Sequence, residues 1–525
     1  MVPDTDQGFV PRFIATTKAD PERLFASYEG KPISFGWLHQ ASDAVAMELR
    51  HRGVRRGDRV AVMLRNSPEA LAVLYGLAKA GIGWVPVNAQ QRGEGLRYVM
   101  SHSEPALAIV EDDLLLVLQD SGADLSATEL VLAGSPDGLP SWLDRKETFG
   151  EPAPQADDVF AIMYTSGTTG PPKGVMVTHR MLLLAGEGAA FVADAADGDV
   201  LFVWEPLYHI GGAQLLVMPV LRRVVLAMVE RFSAGGFWSQ VKENCATHIH
   251  FLGGILQILL KQPPGPLDRE HGVRMAWGGG CPPDIWWLFQ ERFGIEIREC
   301  YGMTEASSIT TYNDQGIVGS VGRAVPWFSV EIRGESGELL GTGQRGEIVV
   351  QEKLPGATFK GYFRNPEASR KALRNGRFHT GDFGSLDENG NLTFYGRMTD
   401  SVRHKGENVS AWEVEHVASS HPAVEDCAII GVASDVGEQD IKLFLKPRAG
   451  HTIDLLSFSA WIGKRLAPYQ NPRYLALVDE FERTPSLRIM KHKLSPALDD
   501  GWDRLRGDPV ASGRAPASRE RKGQP

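Results

Sequence analysis

Val159-Phe-Ala-Ile-Met-Tyr-Thr-Ser-Gly-Thr-Thr-Gly-Pro-Pro-Lys-Gly174 decides how the chain is read. Its first five residues form a short apolar run, the pattern of a buried strand. The next eleven, Tyr164 to Gly174, are polar and glycine-rich. Thr165, Ser166, Thr168 and Thr169 place four hydroxyls within five positions. Gly167, Gly170 and Gly174 free the backbone to approach a ligand closely. Lys173 adds a mobile cation. Hydroxyls, exposed amides and one lysine at the end of a strand describe a phosphate cradle. The stretch is not a P-loop, which needs Gly-Lys-Ser/Thr; here Pro172 precedes Lys173 and Gly174 comes after it. The alternative is a solvated surface turn, because Gly, Ser, Thr and Pro all populate loops.

Upstream of this loop, helix and strand patterns alternate. Leu38, Ala41, Val45 and Leu49 recur at helical spacing, and Arg59 to Leu64 reads as a strand. Ala70 to Lys79 reads as a helix, Gly83 to Val87 as a strand, Glu94 to Ser101 as a helix and Leu107 to Val110 as a strand. Such alternation predicts a largely parallel sheet with helices on both faces. Residues 128–157 are loop-rich. Downstream, Thr178 can cap a helix. Thr247 to Gly254 and Arg274 to Cys281 each read as a strand running into glycines, and Ile295 to Tyr301 is a further short strand. Gly346 to Val350 and Leu392 to Tyr395 suggest a more antiparallel part. From about Ser401 the pattern resets. Ser410-Ala-Trp-Glu413 is a capping box, Val424 to Val432, Ile441 to Lys446 and Tyr474 to Val478 read as strands, and Leu455 to Leu466 as a helix. The expected fold is α/β. A large N-terminal domain of parallel α/β sheets with a β-rich subdomain spans residues 1–397, and a small α+β domain spans 398–507. Residues 508–525, rich in Pro, Gly, Ser and Arg, read as a disordered tail.

The bulk properties exclude several classes. At 525 residues, two or more domains are expected. A net charge of −10 argues against a general nucleic-acid or anionic-membrane surface. No apolar run reaches membrane-spanning length. The N-terminus lacks the basic-then-apolar pattern of a signal peptide. The four cysteines, Cys245, Cys281, Cys300 and Cys427, have no metal-like spacing and fit a reducing cytoplasm.

Chemistry-bearing residues collect at the predicted carboxyl ends of strands, where parallel sheets bind ligands. Tyr301-Gly-Met-Thr-Glu305 brings an aromatic, a hydroxyl and a carboxylate together, and Glu305 beside a phosphate site suits Mg²⁺. The glycines of Trp277-Gly-Gly-Gly280 let a planar ligand lie against backbone; a plain tight turn is the alternative. His209, next to Gly211 and Gly212, is either a pocket wall or an ordinary histidine. Asp382, in His379-Thr-Gly-Asp382, is a turn residue or a ribose ligand. Cys281 has no base near it in sequence and reads as packing.

Taken in order, Tyr164 to Gly174, Tyr301 to Glu305, His379 to Asp382 and Gly396-Arg397 resemble the adenylate-forming superfamily over residues 10–500. This superfamily holds acyl-CoA synthetases, peptide-synthetase adenylation domains and luciferase-like enzymes. Gly406-Glu-Asn-Val-Ser-Ala-Trp-Glu-Val-Glu415 looks most like the carnitine-CoA ligase-like branch. The resemblance implies a two-step reaction. A carboxylate attacks the α-phosphate of Mg·ATP, releasing pyrophosphate and leaving acyl-AMP; a small mobile C-terminal domain then rotates, and the thiol of coenzyme A displaces AMP. It also implies roles. Thr165, Ser166, Thr168, Thr169 and Lys173 would hold the β- and γ-phosphates. Gly278, Gly279, Gly280, Tyr301 and Gly302 would line the adenine slot. Thr304 would touch the α-phosphate, and Glu305 would hold Mg²⁺. Asp382 and Arg397 would bind ribose, and Gly406 would contact CoA. His209 would stand between the acyl pocket and the pantetheine tunnel, with Trp204, Leu252 and Trp277 as pocket walls.

Two positions depart from the family pattern. Thr399 replaces the usual Asp or Lys of the hinge, a minor change. In Thr484-Pro-Ser-Leu-Arg-Ile-Met-Lys-His-Lys-Leu494, Arg488 occupies the place of a lysine that bridges the substrate carboxylate and the α-phosphate during adenylation. Arginine's wide planar fork does not replace a compact ammonium. A misplaced charge-assisted contact costs about 1.5–3 kcal/mol, and a misplaced catalytic bridge on the order of a hundredfold in rate. Lys491 or Lys493 could substitute only through a shifted loop. The expectation is an acyl-CoA ligase with impaired adenylation, fed acyl-AMP by a separate partner enzyme. The alternatives are a full two-step synthetase, an adenylation enzyme loading a carrier protein, and a non-catalytic adenylate-binding protein.

Overall fold

The computed structural model describes residues 5–165, 171–252, 254–398, 401–404, 407–434, 439–466, 468–483, 489–506 and 508–509. The loop strand sits in a six-stranded sheet. Its order is Glu129–Leu132, Leu107–Val110, Arg59–Met63, Gly83–Pro86, Val159–Thr165 and Lys173–Thr178. The first five strands are mutually parallel, and Lys173–Thr178 turns back antiparallel. Leu107–Val110 and Gly83–Pro86 are buried along their whole length, as strands covered on both faces must be.

The helices arise from local signals. Pro68–Ala80 starts at Ser67, whose hydroxyl accepts from the Ala70 N–H, carries Pro68 in its first turn and ends at Gly81 with φ +66°. It packs on the helix Phe35–His51. Thr178 caps His179–Ala193 by accepting from the Met181 N–H.

A nine-stranded sheet lies in the same unit. Its order is Arg323–Ala324, Thr311–Tyr312, Glu296–Tyr301, Met275–Gly279, His248–Leu252, Val200–Val203, Val225–Met228, Leu24–Tyr28 and Lys31–Ser34. The six strands from Glu296–Tyr301 to Leu24–Tyr28 are parallel. A third sheet contains the antiparallel pair Phe328–Arg333 and Gly346–Glu352, together with Arg377–Leu386 and Leu392–Arg397. The fold is thus mixed α/β, with parallel sheets first and an antiparallel one after them.

Contact density divides the chain into one unit of residues 1–380 and 384–394 and a second of 381–383 and 395–525. The second unit has its own sheet, in the order Val424–Ala433, Gln439–Pro447, Tyr474–Leu477, Trp502–Asp503 and Asp508–Pro509. Its core joins Val414, Ile429, Leu443, Phe458, Ile462 and Leu475.

Some expectations require correction. Residues 128–157 are loop-rich, as expected, and also hold the edge strand Glu129–Leu132 and the short helix Leu139–Leu143. The helix expected to reach Leu466 ends at Gly463. Asp508–Pro509, placed in the tail, pairs antiparallel with Trp502–Asp503. The side chains of the expected capping box at Ser410 and Glu413 lie outside the described residues, as do residues 510–525. No helix among the described residues is long and apolar enough to cross a membrane.

Candidate active site

The strand Val159–Thr165 and its return strand deliver the glycine-rich loop as a hairpin. Tyr164 pairs with Gly174 and Thr165 with Lys173, and the Thr165 hydroxyl donates to the Lys173 carbonyl at 3.4 Å. Ser166, Thr168 and Thr169 lie outside the described residues. The Lys173 ammonium stands 5.1 Å from the centre of the Tyr362 ring. The Tyr362 hydroxyl in turn donates to Glu305 Oε1 at 2.9 Å. Cation, phenol and carboxylate therefore form one chain across segments that are far apart in sequence. Backbone bonds fix it: the Phe363 N–H donates to the Gly174 carbonyl at 2.7 Å and the Phe359 N–H to the Glu305 carbonyl at 2.9 Å. Nothing in the local sequence points to Tyr362. Its only signal is an aromatic side chain directly after Gly361, whose φ is +124°.

Glu305 lies in a single 3₁₀ turn, Thr304–Ala306, just past the carboxyl end of Glu296–Tyr301. Thr304 and Glu305 are both buried. Gly302 admits no side chain, since a Cβ there would meet the Ser308 carbonyl oxygen at 1.7 Å. Ser307 and Ser308 both adopt positive φ, 48° and 64°. They are held by hydroxyl bonds to the Ala357 carbonyl at 2.5 Å and Gln214 Oε1 at 2.7 Å. Such strain persists only where surrounding contacts enforce it. Among the described residues no group of three acidic, histidine or cysteine side chains gathers to hold a metal. A single carboxylate with one oxygen tied to Tyr362 suits Mg²⁺, which takes one or two protein oxygens and fills its shell with phosphates and water.

Gly278 lies at the end of the strand Met275–Gly279, with φ +153°. A Cβ there would fall 1.8 Å from the Phe251 carbonyl oxygen, so the backbones run in direct contact. Glu299 holds the turn just beyond. Its Oε1 accepts from the Gly280 N–H at 3.0 Å and the Cys281 N–H at 2.9 Å. Burial pushes the Glu299 carboxyl up to about 7, although the two amides favour its charged form. Burial, with Glu299 adding to it, also pushes the Cys281 thiol up, so Cys281 is an inert packed thiol. Tyr301 is buried, with its ring 5.4 Å from Phe394.

The expected acyl walls lie at the neighbouring strand ends. Trp277 is 1% exposed and rests on the His250 ring at 4.2 Å between centroids. The Trp204 indole N–H donates to the His250 carbonyl at 3.0 Å. Leu252 closes its strand, half-buried. His209 is exposed at the start of the short helix Ile210–Ala213, where its Nδ1 accepts from the Gly211 N–H at 3.1 Å.

In the second unit, Asp382 is buried and Arg397 Nε lies 3.5 Å from its Oδ1. Arg488 and Gly406 lie outside the described residues. The flanks of Arg488 are described: Arg483 bridges Ile489, and the Met490 N–H donates to the Glu482 carbonyl at 2.8 Å. Lys491 is 2.8 Å from Glu415, and Lys493 pairs with Glu482.

Lys173, the Thr304–Ala306 turn and the close backbone approach at Gly278 collect at strand ends of one parallel α/β unit, where folds of this class bind ligands. Residues 13–363 match the AMP-binding enzyme family, and residues 413–488 match the AMP-binding enzyme C-terminal domain. The crotonobetaine/carnitine–CoA ligases of Salmonella paratyphi B and Salmonella typhimurium are each 31% identical, over 90% of this chain and 95% of theirs. Among solved structures, ATP-bound MatB from Rhodopseudomonas palustris superposes with a TM-score of 0.83 at 26% identity, over 93% of this chain and 98% of that one. The o-succinylbenzoate CoA synthetase of Bacillus subtilis, in complex with its acyl-adenylate intermediate, shares the fold at a TM-score of 0.82 and 24% identity, over 92% and 97%. The chain belongs to the AMP-binding enzyme family, as an acid–thiol ligase of its acyl-CoA ligase branch.

Proposed function

We propose that this ligase forms a CoA thioester from an acyl-adenylate and performs the preceding adenylation poorly, so that a separate adenylating enzyme supplies its acyl-AMP. What supports the first half is the match of residues 13–363 and 413–488 to the two AMP-binding enzyme domains and the 31% identity to CoA ligases, together with the close backbone approach at Gly278. Family members use ATP, Mg²⁺ and coenzyme A. Here Lys173 and the hydroxyls of Thr165, Ser166, Thr168 and Thr169 bind the phosphates. Thr304 contacts the α-phosphate, and Glu305 would hold Mg²⁺, which would supply neutralisation of phosphate charge. Gly278 to Gly280, Tyr301 and Gly302 take the adenine, Asp382 and Arg397 the ribose. In the thioester step the CoA thiol loses its proton to solvent, its sulfur attacks the acyl carbonyl, and the carbonyl carbon–phosphate oxygen bond breaks with AMP leaving with the bonding pair. Gly406 contacts CoA, and His209 lines its approach. The residues work by orientation and charge neutralisation, which dominate chemistry of this kind.

Arg488 carries the second half. Lysine at this position would bridge two oxyanions as a point charge, and the guanidinium fork has a different shape. The neighbouring lysines are committed elsewhere. Shifting the loop to bring Lys491 forward would break its 2.8 Å pair with Glu415, whose Oε1 also accepts from the Ile429 N–H at 2.7 Å. The thioester step does not use this position and survives. The second reading, a full two-step synthetase, is favoured by the Lys173–Tyr362–Glu305 chain, which an enzyme never handling Mg·ATP has no need to keep. A panel of synthetic acyl-AMPs with CoA, monitored for thioester release, tests the proposal. Turnover is expected with at least one short acyl group. Tight acyl-AMP binding without thioester would leave a non-catalytic adenylate-binding protein, and turnover only with a phosphopantetheinylated carrier would replace CoA as the acceptor.

A further inference from the structure

Glu205 and His250 form a hydrogen-bonded pair in the first unit, next to the expected acyl walls Trp204 and Trp277. They are 1% and 3% exposed, and His250 Nδ1 bonds Glu205 Oε1. Glu205 Oε2 is buried and has no hydrogen-bond partner among the described residues. His250 is also the only cation-forming side chain paired with Glu205 there. A buried carboxylate oxygen without a partner is costly, and the scaffold holds it in place. Asn66, itself buried, donates from Nδ2 to the Glu205 carbonyl at 2.9 Å and accepts from the Leu207 N–H at 3.0 Å. Trp204 ties the preceding residue to the His250 carbonyl at 3.0 Å.

The pair reaches the expected reaction zone through Gly211. A Cβ at Gly211 would lie 3.7 Å from His250 Cε1, 3.3 Å from Leu252 Cδ1 and 3.2 Å from His209 Nδ1. The missing side chain leaves the imidazole edge facing the helix start that carries His209. A neutral imidazole that gives its Nδ1–H to Glu205 presents Nε2 as an acceptor. Glu205 Oε2 is a second acceptor behind it. Two acceptors among Trp204, Trp277 and Leu252 make a site for a donor in an otherwise apolar wall.

We infer that the Glu205–His250 pair selects acids that carry a hydrogen-bond donor, a hydroxyl or an amino group, on a short acyl chain. This rests on the acyl-adenylate reading above, and it names the substrate class for the same site. A purely hydrocarbon acyl group leaves both acceptors buried and unpaired, which is how a polar site rejects an apolar isostere.

Binding of acyl-sulfamoyl adenosines, which cannot turn over, tests this on the full chain. The set carries one short acyl scaffold with a hydroxyl, an amino, a methyl or a trimethylammonium substituent, plus adenosine sulfamate without an acyl group. The hydroxyl or amino compound is expected to bind at least about tenfold tighter than the methyl isostere. Glu205→Gln, of the same volume, is expected to erase that preference while leaving adenosine sulfamate affinity unchanged. Equal binding of the methyl compound by the wild type overturns the inference without reference to any variant. So does a trimethylammonium compound that binds as tightly as the amino one, since charge would then be the signal. Failure of adenosine sulfamate itself to bind would instead bring down the adenylate reading and this inference with it.

Discussion

At the scale of single residues, the site depends on side chains whose partners lie far away in sequence. Lys173, Glu305, Asp382 and Arg397 stand out in the sequence because they sit in short polar motifs bordered by glycine. Tyr362, Glu299 and the Glu205–His250 pair do not, because nothing local marks them. Tyr362 matters only once folding brings residues 359–363 between Gly174 and Glu305. Glu299 is one carboxylate inside a strand until its two amide contacts are seen. Its burial has a measurable consequence. The folded-state pKa, about 7, lies above the ordinary carboxylate value. The group therefore contributes stability that is fully present below that ordinary value and is lost as pH rises through about 7. Glu299→Gln removes this titration. Unfolding free energies of wild type and variant are expected to diverge between pH 5 and pH 8, with the variant gaining on the order of 2–3 kcal/mol relative to wild type. A difference that does not change with pH would show that Glu299 is not buried as a titrating acid.

Secondary elements are legible where the period is long and the ends are marked. Pro68–Ala80 has a capping serine, an early proline and a terminal glycine, and the apolar strands between helices imply the parallel sheet. Glu129–Leu132 is hidden because four residues at a sheet edge, set among Asp, Ser and Thr, carry no periodicity. The helix from Leu455 stops at Gly463, short of its expected end, because glycine is a poor helix residue and Pro468 soon bars continuation. Strand ends are the most informative elements, since the close backbone approaches lie there. Gly278 is one, with its α-hydrogen directed at the Phe251 carbonyl. Gly278→Ala is expected to cost more than about 3 kcal/mol of stability or to abolish soluble expression. Gly254→Ala, whose Cβ would meet nothing closer than Gln257 Oε1 at 3.6 Å, should stay within about 0.5 kcal/mol. Chemical denaturation of the two variants compares them, and equal stabilities would contradict the close packing of the two strands.

At the scale of the whole molecule, two units divide the proposed chemistry. The first carries Lys173, the turn Thr304–Ala306, Gly278 and the expected acyl walls, most of them near the carboxyl ends of parallel strands, with Lys173 opening the antiparallel return strand. That placement is why the fold class could be read from alternating patterns, and why the polar and glycine residues just past the strands are the candidates for the site. The second unit carries Asp382, Arg397 and the segment with Arg488. The loop Tyr164 to Gly174 alone implies an enzyme that consumes ATP; in the proposed reading Arg488 separates gripping the nucleotide from using it. ATP–pyrophosphate exchange with a panel of short carboxylic acids, run on the wild type and on Arg488→Lys, tests this most directly. Exchange near background in the wild type, rising on the order of a hundredfold in Arg488→Lys, is the predicted result. Robust exchange by the wild type, or no gain in the variant, would contradict it.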